Sequence, residues 1–323
     1  MKAIAQDRYG SADVLEFRDI EVPAVGDDEV RIEVRAAGAG PDVWHLMTGR
    51  PYFARLMPGF RKTWGHPRGR DVSGVVESVG ANVTGLAPGD EVMGIAEGSF
   101  AELAVARADL VVPKPSRLSF EEAAAAPISG LTALQAVRDV AQVRAGQRVL
   151  VIGAGGGVGT LTVQVAKAFG AHVTGVGSTS KLDLIRSVGA DEVIDYTREP
   201  LESASGRWDA IVDTAGRRPV RVLRRLLTPN GTLAIVGGDG GGRWTGGFFR
   251  QILRAPLLSA FGKQRLRPVM SNESGEDLRA LAGLIERGDV TPVVGRSFPL
   301  IEAPDAVRLI EQGHASGKVV ITV

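Results

Sequence analysis

Apolar Val30, Ile32, Val34 and Ala36 alternate with Arg31, Glu33 and Arg35, the period-2 signature of a strand with one buried face. Short apolar runs follow at 72–79, 91–95, 101–106 and 110–112. Turn signals such as Val25-Gly26-Asp27-Asp28 and Ala87-Pro88-Gly89-Asp90 punctuate this stretch. Many short strands separated by Gly and Pro predict a compact, barrel-like sheet. The pattern changes near residue 119. Ser119, followed by Glu121-Glu122 and an Ala-rich run, reads as an N-cap, an acidic first turn and a helix. Beyond it, strand candidates at 148–152, 172–176, 192–194, 210–212 and 232–236 alternate with helix candidates near 158–169, 181–188 and 217–227. That alternation predicts a parallel, doubly wound α/β sheet. A strand at 267–270 is expected to close the sheet, with helices at 276–287 and 304–312 and a last strand at 318–323. The organisation expected is a β domain built from residues 1–120 and 272–323, with an α/β domain of residues 121–271 inserted in it.

Composition narrows the chemistry. The 323 residues carry 44% apolar and 23% charged side chains and a formal charge of +1, the balance of a folded globular chain with no whole-molecule attraction for nucleic acid or membrane. The absence of cysteine excludes disulfides, thiolate nucleophiles, iron–sulfur clusters and sulfur-ligated zinc. An early acid, Asp7, argues against a signal peptide, and no run of about 18 uninterrupted apolar residues is present. A cytoplasmic location is the expectation.

The strongest chemical signal is the strand 149–152 running into Gly153-Ala154-Gly155-Gly156-Gly157-Val158-Gly159 and then into an apolar-faced helix. Glycines let the backbone approach a pyrophosphate, and a helix N-terminus offers N–H groups and a favourable dipole. The register taken here is Ala154-x-Gly156-x-x-Gly159, with Ala154 at the tight turn and Gly159 at the close helix–strand contact. The next strand ends in Ser178-Thr179-Ser180-Lys181, with no carboxylate before Asp183. Hydroxyls and a lysine suit the 2′-phosphate of NADPH better than the free ribose hydroxyl of NADH. The bland alternative is that Ser180 caps the next helix and Lys181 is solvated.

These segments, together with Gly69-Arg70-Asp71-Val72-Ser73-Gly74-Val75-Val76-Glu77, Ser129-Gly130-Leu131-Thr132-Ala133, Gly189-Ala190-Asp191-Glu192-Val193-Ile194-Asp195-Tyr196 and Gly317-Lys318-Val319-Val320, resemble the zinc-free quinone oxidoreductase-like branch of the medium-chain dehydrogenase/reductase superfamily over nearly the whole chain. The resemblance implies a GroES-like β domain, a Rossmann domain, a cleft between them and hydride transfer from NADPH to a quinone or activated enone. It implies that Lys181 and Tyr196 flank the 2′-phosphate, that Thr132 lies near the nicotinamide and Gly237 at the end of the fifth strand, and that Lys318 is a weaker cofactor candidate. It also implies a homodimer, with the strand near 267–270 as a possible seam.

Zinc-using relatives place ligands at a Gly-His-Glu that here reads Gly69-Arg70-Asp71, and at a position inside Ala37-Gly38-Ala39-Gly40, which offers none. A cation in place of an imidazole repels a metal, so no metal is expected. Substrate candidates are Asp42 and Trp44, with Tyr52 and Thr132 as donors to a developing oxyanion. Many relatives carry Asn where this chain has Gly40. Between 214 and 272 the only acid is Asp239, against 11 Arg and Lys. The first reading of this stretch is a solvated face; an anion dock is the sharper one, and aromatics are too few for nucleic acid. The glycines of 237–242, with Trp244, Phe248 and Phe249, are a candidate lid. Three functions remain open: an NADPH-dependent quinone or enone reductase, a zinc-free alcohol dehydrogenase or enoyl-thioester reductase, and a non-catalytic NADPH-binding module.

Overall fold

The computed structural model of the chain describes residues 1–52, 55, 66–204, 206–237, 255, 259, 262–313 and 315–323. The chain divides into two units. Met1–Leu131, Glu273–Gly288 and Pro292–Val323 form the first, and Thr132–Asn272 with Asp289–Thr291 the second.

The first unit begins with the short antiparallel pair β1 (Lys2–Ala5) and β2 (Glu16–Asp19). Its main sheet contains β3 (Glu29–Ala39), β4 (Asp71–Val79), β5 (Glu91–Ile95), β6 (Leu103–Arg107) and β7 (Val111–Pro113). The strand β3 alternates buried and outward residues up to Arg35 and is then buried on both faces. Small residues are required there: a Cβ on Gly38 would lie 2.5 Å from the Ala124 carbonyl oxygen and 2.8 Å from the Asp71 side chain. Helix α1 (Pro41–Thr48) follows β3.

The helix expected from residue 119 is interrupted, forming α2 (Phe120–Ala124) and α3 (Pro127–Gln135). Pro127 disfavours helical backbone at Ala126 and starts a new helix instead. Ser119 caps α2 as its sequence suggests, accepting from the Glu122 N–H at 3.2 Å while the Glu122 carboxylate accepts from the Ser119 N–H at 2.9 Å. Residues 121–131, assigned by periodicity to the α/β domain, lie with the first unit. The reason is packing: Ala124 and Ala125 are buried against Ala36 of β3 and Val320 near the C-terminus.

The second unit holds β8 (Arg148–Ile152), β9 (His172–Gly177), β10 (Glu192–Asp195), β11 (Trp208–Asp213), β12 (Leu227–Ile235) and β13 (Arg265–Pro268), all parallel, in the spatial order β10-β9-β8-β11-β12-β13. Helices α4 (Gly157–Ala168), α5 (Leu182–Ser187) and α6 (Val220–Leu226) alternate with them. This is the Rossmann order, whose direction of winding reverses between β8 and β11. The closing strand lies two residues earlier than expected, because Leu266 is its buried residue and Met270 is exposed. The candidate lid around Trp244, Phe248 and Phe249 lies outside the described residues.

The chain then returns to the first unit. Helices α7 (Gly275–Glu286) and α8 (Ala303–Glu311) flank β14 (Val294–Pro299), and β15 (Lys318–Thr322) enters the sheet between β14 and β3, with Val319 opposite Ala39. The strand β14 escapes sequence patterning because only Phe298 along it is buried.

Candidate functional site

In the second unit the chain leaves β8 through Gly153, whose φ of +79° is a left-handed turn suited to glycine. The tight turn is therefore made at Gly153 rather than at Ala154, which is buried with its N–H bonded to the Val176 carbonyl at 3.1 Å. A Cβ on Gly159 would stand 2.0 Å from the Gly153 carbonyl oxygen, so α4 can pack this closely only with glycine there. Gly156, the N-cap of α4, differs: the nearest atom to a Cβ there is 3.6 Å away. Gly156, Gly157 and Val158 are partly exposed; the Gly156 N–H donates to the Gly153 carbonyl at 3.1 Å, and Gly157 and Val158 lie in the first turn of α4, where N–H groups lack intrahelical acceptors. This is an open cradle of helix N-terminal dipole and N–H donors, and it fits a pyrophosphate.

The same corner gathers residues that are distant in sequence. The Lys181 side chain lies over Gly155, 2.9 Å from a Cβ placed there. Ser178 and Ser180 share a hydrogen bond at 3.2 Å. Burial first, and then the nearby Arg217 charge, push the Lys181 ammonium below its usual value. Tyr196, 46% exposed, has the Arg218 guanidinium 5.5 Å from its ring centroid. Asp195 beside it accepts from Thr179 and Thr197, and these hydrogen bonds hold its carboxyl below the ordinary range.

At the end of β11, Asp213 is 1% exposed and accepts from the Ala215 and Gly216 N–H groups at 3.2 and 3.0 Å. Burial pushes its carboxyl up against the pull of those two bonds. Thr214 donates to the Ile152 carbonyl at 2.8 Å, and a Cβ on Gly237 would reach the Thr214 carbonyl oxygen at 2.2 Å. Gly153, Gly155, Lys181, Thr214 and Gly237 therefore surround the switch point between β8 and β11. Thr132 opens the unit's sequence, buried, with its hydroxyl donating to Ser271 at 3.2 Å.

In the first unit Lys318 is 5% exposed and donates to Asp71 at 2.7 Å and to Ser129 at 3.0 Å. Asp71, 1% exposed, also accepts from the Ile128 N–H at 2.6 Å. Burial pushes its carboxyl up, against the pull of Lys318. Arg70 pairs with Glu273. Asp42, in the first turn of α1, lies close to this group: a Cβ on Gly40 would be 2.5 Å from its carboxylate and 3.4 Å from the Lys318 ammonium. Trp44 packs against the core, its Nε1 buried and without a hydrogen-bond partner among the described residues. Tyr52 and Tyr9 both face Arg55, whose guanidinium is 4.4 Å from each ring.

Sequence reasoning missed the Asp71–Lys318 pair, because its members are separated by most of the chain. It also missed the turn after β11. A strand-ending Asp followed three residues later by Gly is the local signal that could have found that turn.

Residues 26–116 match the alcohol dehydrogenase GroES-like domain, and residues 188–321 match a domain described as zinc-binding dehydrogenase. The chain is 33% identical to the chloroplast envelope quinone oxidoreductase homolog of Arabidopsis thaliana, covering 99% of this chain and 98% of the relative. It is likewise 33% identical to the mitochondrial NAD(P)H oxidoreductase RTN4IP1 of Mus musculus, over 100% of this chain and 89% of that one. The quinone oxidoreductase of Coxiella burnetii superposes with a TM-score of 0.88 at 31% identity, covering 100% of this chain and 99% of that one. The chain belongs to the quinone oxidoreductase-like branch of the medium-chain dehydrogenase/reductase superfamily and is an NAD(P)H-dependent oxidoreductase.

Proposed function

We propose that the protein is an NADPH-dependent reductase of quinones or activated enones that works without zinc. The observation that carries this reading is the open Gly156 cradle beside a corner where the Lys181 side chain lies over Gly155 and the Arg218 guanidinium lies over Tyr196. Gly156, Gly157, Val158 and Gly159 would hold the pyrophosphate; Ser178, Lys181 and Tyr196 would take the 2′-phosphate. Ala154 and Gly237 would keep the walls of the cradle free of bulk. Bound there, reduced nicotinamide supplies a hydride to an electrophilic carbon or oxygen.

The chain's own task is positioning and charge stabilisation. The Thr132 and Tyr52 hydroxyls are the proposed donors to oxygen that gains charge, and Asp42 and Trp44 the proposed substrate contacts. Lys318 would support the cofactor side through its ion pair with Asp71. A quinone that accepts a hydride becomes a stabilised phenolate that water can protonate, so no dedicated acid is needed. Against zinc, Arg70 and Lys318 bring two protein cations to the place where relatives put a metal, and Asp71 already serves Lys318.

NADPH oxidation against a panel of quinones, short enones and acyl thioesters tests the reading, and turnover with the first two classes is expected. Tight NADPH binding without turnover on any acceptor would overturn it. A stoichiometric metal in the purified protein would overturn the zinc-free mechanism. A cytoplasmic homodimer, paired through β13, the edge strand of this sheet among the described residues, completes the proposal. Light scattering that returns a monomer mass would remove that part.

A further inference from the structure

The strands of the second unit are parallel, so their ends form two different rims, and the cradle lies on the C-terminal one. At the opposite rim is a half-open polar cavity of about 280 Å³. Its walls come from the N-terminal ends of four strands: Gln147 precedes β8, Asp209 lies at the start of β11, Thr228 and Thr232 belong to β12, and Arg265 opens β13. The Asp209 carboxylate is held by the Arg148 N–H at 3.0 Å and the Thr228 hydroxyl at 3.3 Å. The Arg265 guanidinium is fixed from two sides. Its Nε donates to the hydroxyl of the buried Thr232 at 3.1 Å, and its Nη1 donates to the Gln142 amide oxygen at 2.7 Å. Gln142 has a φ of +52° and is the one non-glycine residue in the left-handed region among the described residues. Glycine takes that conformation without steric cost, so the glutamine is kept there for its side chain, and its side chain holds Arg265.

Two opposite charges thus line one cavity without meeting. Neither Asp209 nor Arg265 has an ion-pair partner among the described residues, although β11 and β13 are only two strand spacings, about 10 Å, apart. The Arg148 guanidinium lies over the Trp208 ring instead, 5.6 Å from its centroid. We propose that this cavity is a binding site for a small zwitterion of the ω-amino acid class, with its carboxylate on Arg265 and its ammonium on Asp209. Walls of protein strengthen both contacts relative to bulk water. Selectivity comes from the same pair of charges. A simple carboxylic acid meets Asp209 as a like charge, and a simple amine meets Arg265 as one. A molecule carrying both charges satisfies both ends, and a guanidinium already fixed by Thr232 and Gln142 loses little freedom in binding it. The site shares no residue with the cradle, so it stands independently of the nucleotide reading. Its lining runs from β13 back toward β8, away from the outer edge of β13.

Calorimetric titration of the full chain with 6-aminohexanoate tests this, with hexanoate and hexylamine as probes that carry one charge each. Saturable binding of the amino acid at one site per chain is expected, with both single-charge probes weaker by about tenfold or more. Arg265→Ala and Asp209→Asn should each weaken the amino acid by a similar factor and leave NADPH affinity unchanged. Gln142→Gly removes the left-handed strain and releases the guanidinium, so binding should fall while the melting temperature holds or rises. That split separates a role in positioning Arg265 from a role in stability. Absence of saturable binding, equal affinity for a single-charge probe, or binding that survives both charge removals would overturn the site. Displacement of the amino acid by NADPH would overturn it too, by moving the binding to the cradle. Arg265 is exposed, so its variant should fold, and thermal melts check all three.

Discussion

Lys318 and Asp71 join two stretches from opposite ends of the chain by a buried ion pair, with Ser129 and the Ile128 N–H completing the hydrogen bonds. Such a pair contributes little net stability over apolar residues of the same shape, but removing one member strands the other. Lys318→Met should therefore destabilise the protein by about 3–5 kcal/mol in urea unfolding, and pairing it with Asp71→Leu should restore most of the loss. If the double variant is as unstable as the single one, the ion pair is not the source. Lys181 carries a second prediction. Its ammonium is held below the usual lysine value by burial and then by Arg217, so raising the pH removes its charge earlier than for a free lysine. Loss of that proton removes attraction for a phosphate. NADPH affinity should fall on the alkaline side before the ordinary lysine range is reached, whereas NADH affinity should stay level. Lys181→Arg should flatten the NADPH profile, and parallel profiles for the two cofactors would contradict the assignment.

At the scale of elements, the β8–turn–α4 unit separates two uses of glycine. Gly159→Ala drives a methyl to within 2.0 Å of a backbone oxygen that cannot move without shifting the strand, so about 1–3 kcal/mol of stability should be lost. Gly156→Ala meets nothing closer than 3.6 Å, so thermal stability should change little while dinucleotide affinity falls. Thermal melts and cofactor titrations of the two variants distinguish these outcomes, and equal melting losses would contradict the open cradle. The close Gly159 contact in this unit was legible because glycine placement encodes local backbone geometry directly, whereas the tight turn was read one residue late, at Ala154 instead of Gly153. The start of α2 was legible for the same reason, through Ser119 and Glu122. Other elements were hidden for physical reasons. The break between α2 and α3 depends on one proline inside an apolar run, and β14 has no alternation to read. Among the site residues, the cradle and Lys181 could be read locally. The turn after β11 could not be placed without knowing that β11 ends beside β8.

Across the whole molecule, the first unit is assembled from both ends of the sequence around β3 and β15. Deleting residues 318–323 takes away an interior strand that pairs with both β3 and β14, together with the Lys318 ammonium. The truncated chain should be recovered unfolded or insoluble, as judged by soluble yield and far-ultraviolet circular dichroism. A soluble truncated protein with an unchanged spectrum would contradict the central role of β15. The placement of β15 also sets a timetable for biosynthesis. The six strands of the second unit among the described residues leave the ribosome before β15 does, so that unit can close on itself during translation. The first unit must wait with the flank of β3 uncovered until its missing neighbour has been made, which is when a nascent chain of this protein is most open to wrong strand pairing and most in need of a chaperone.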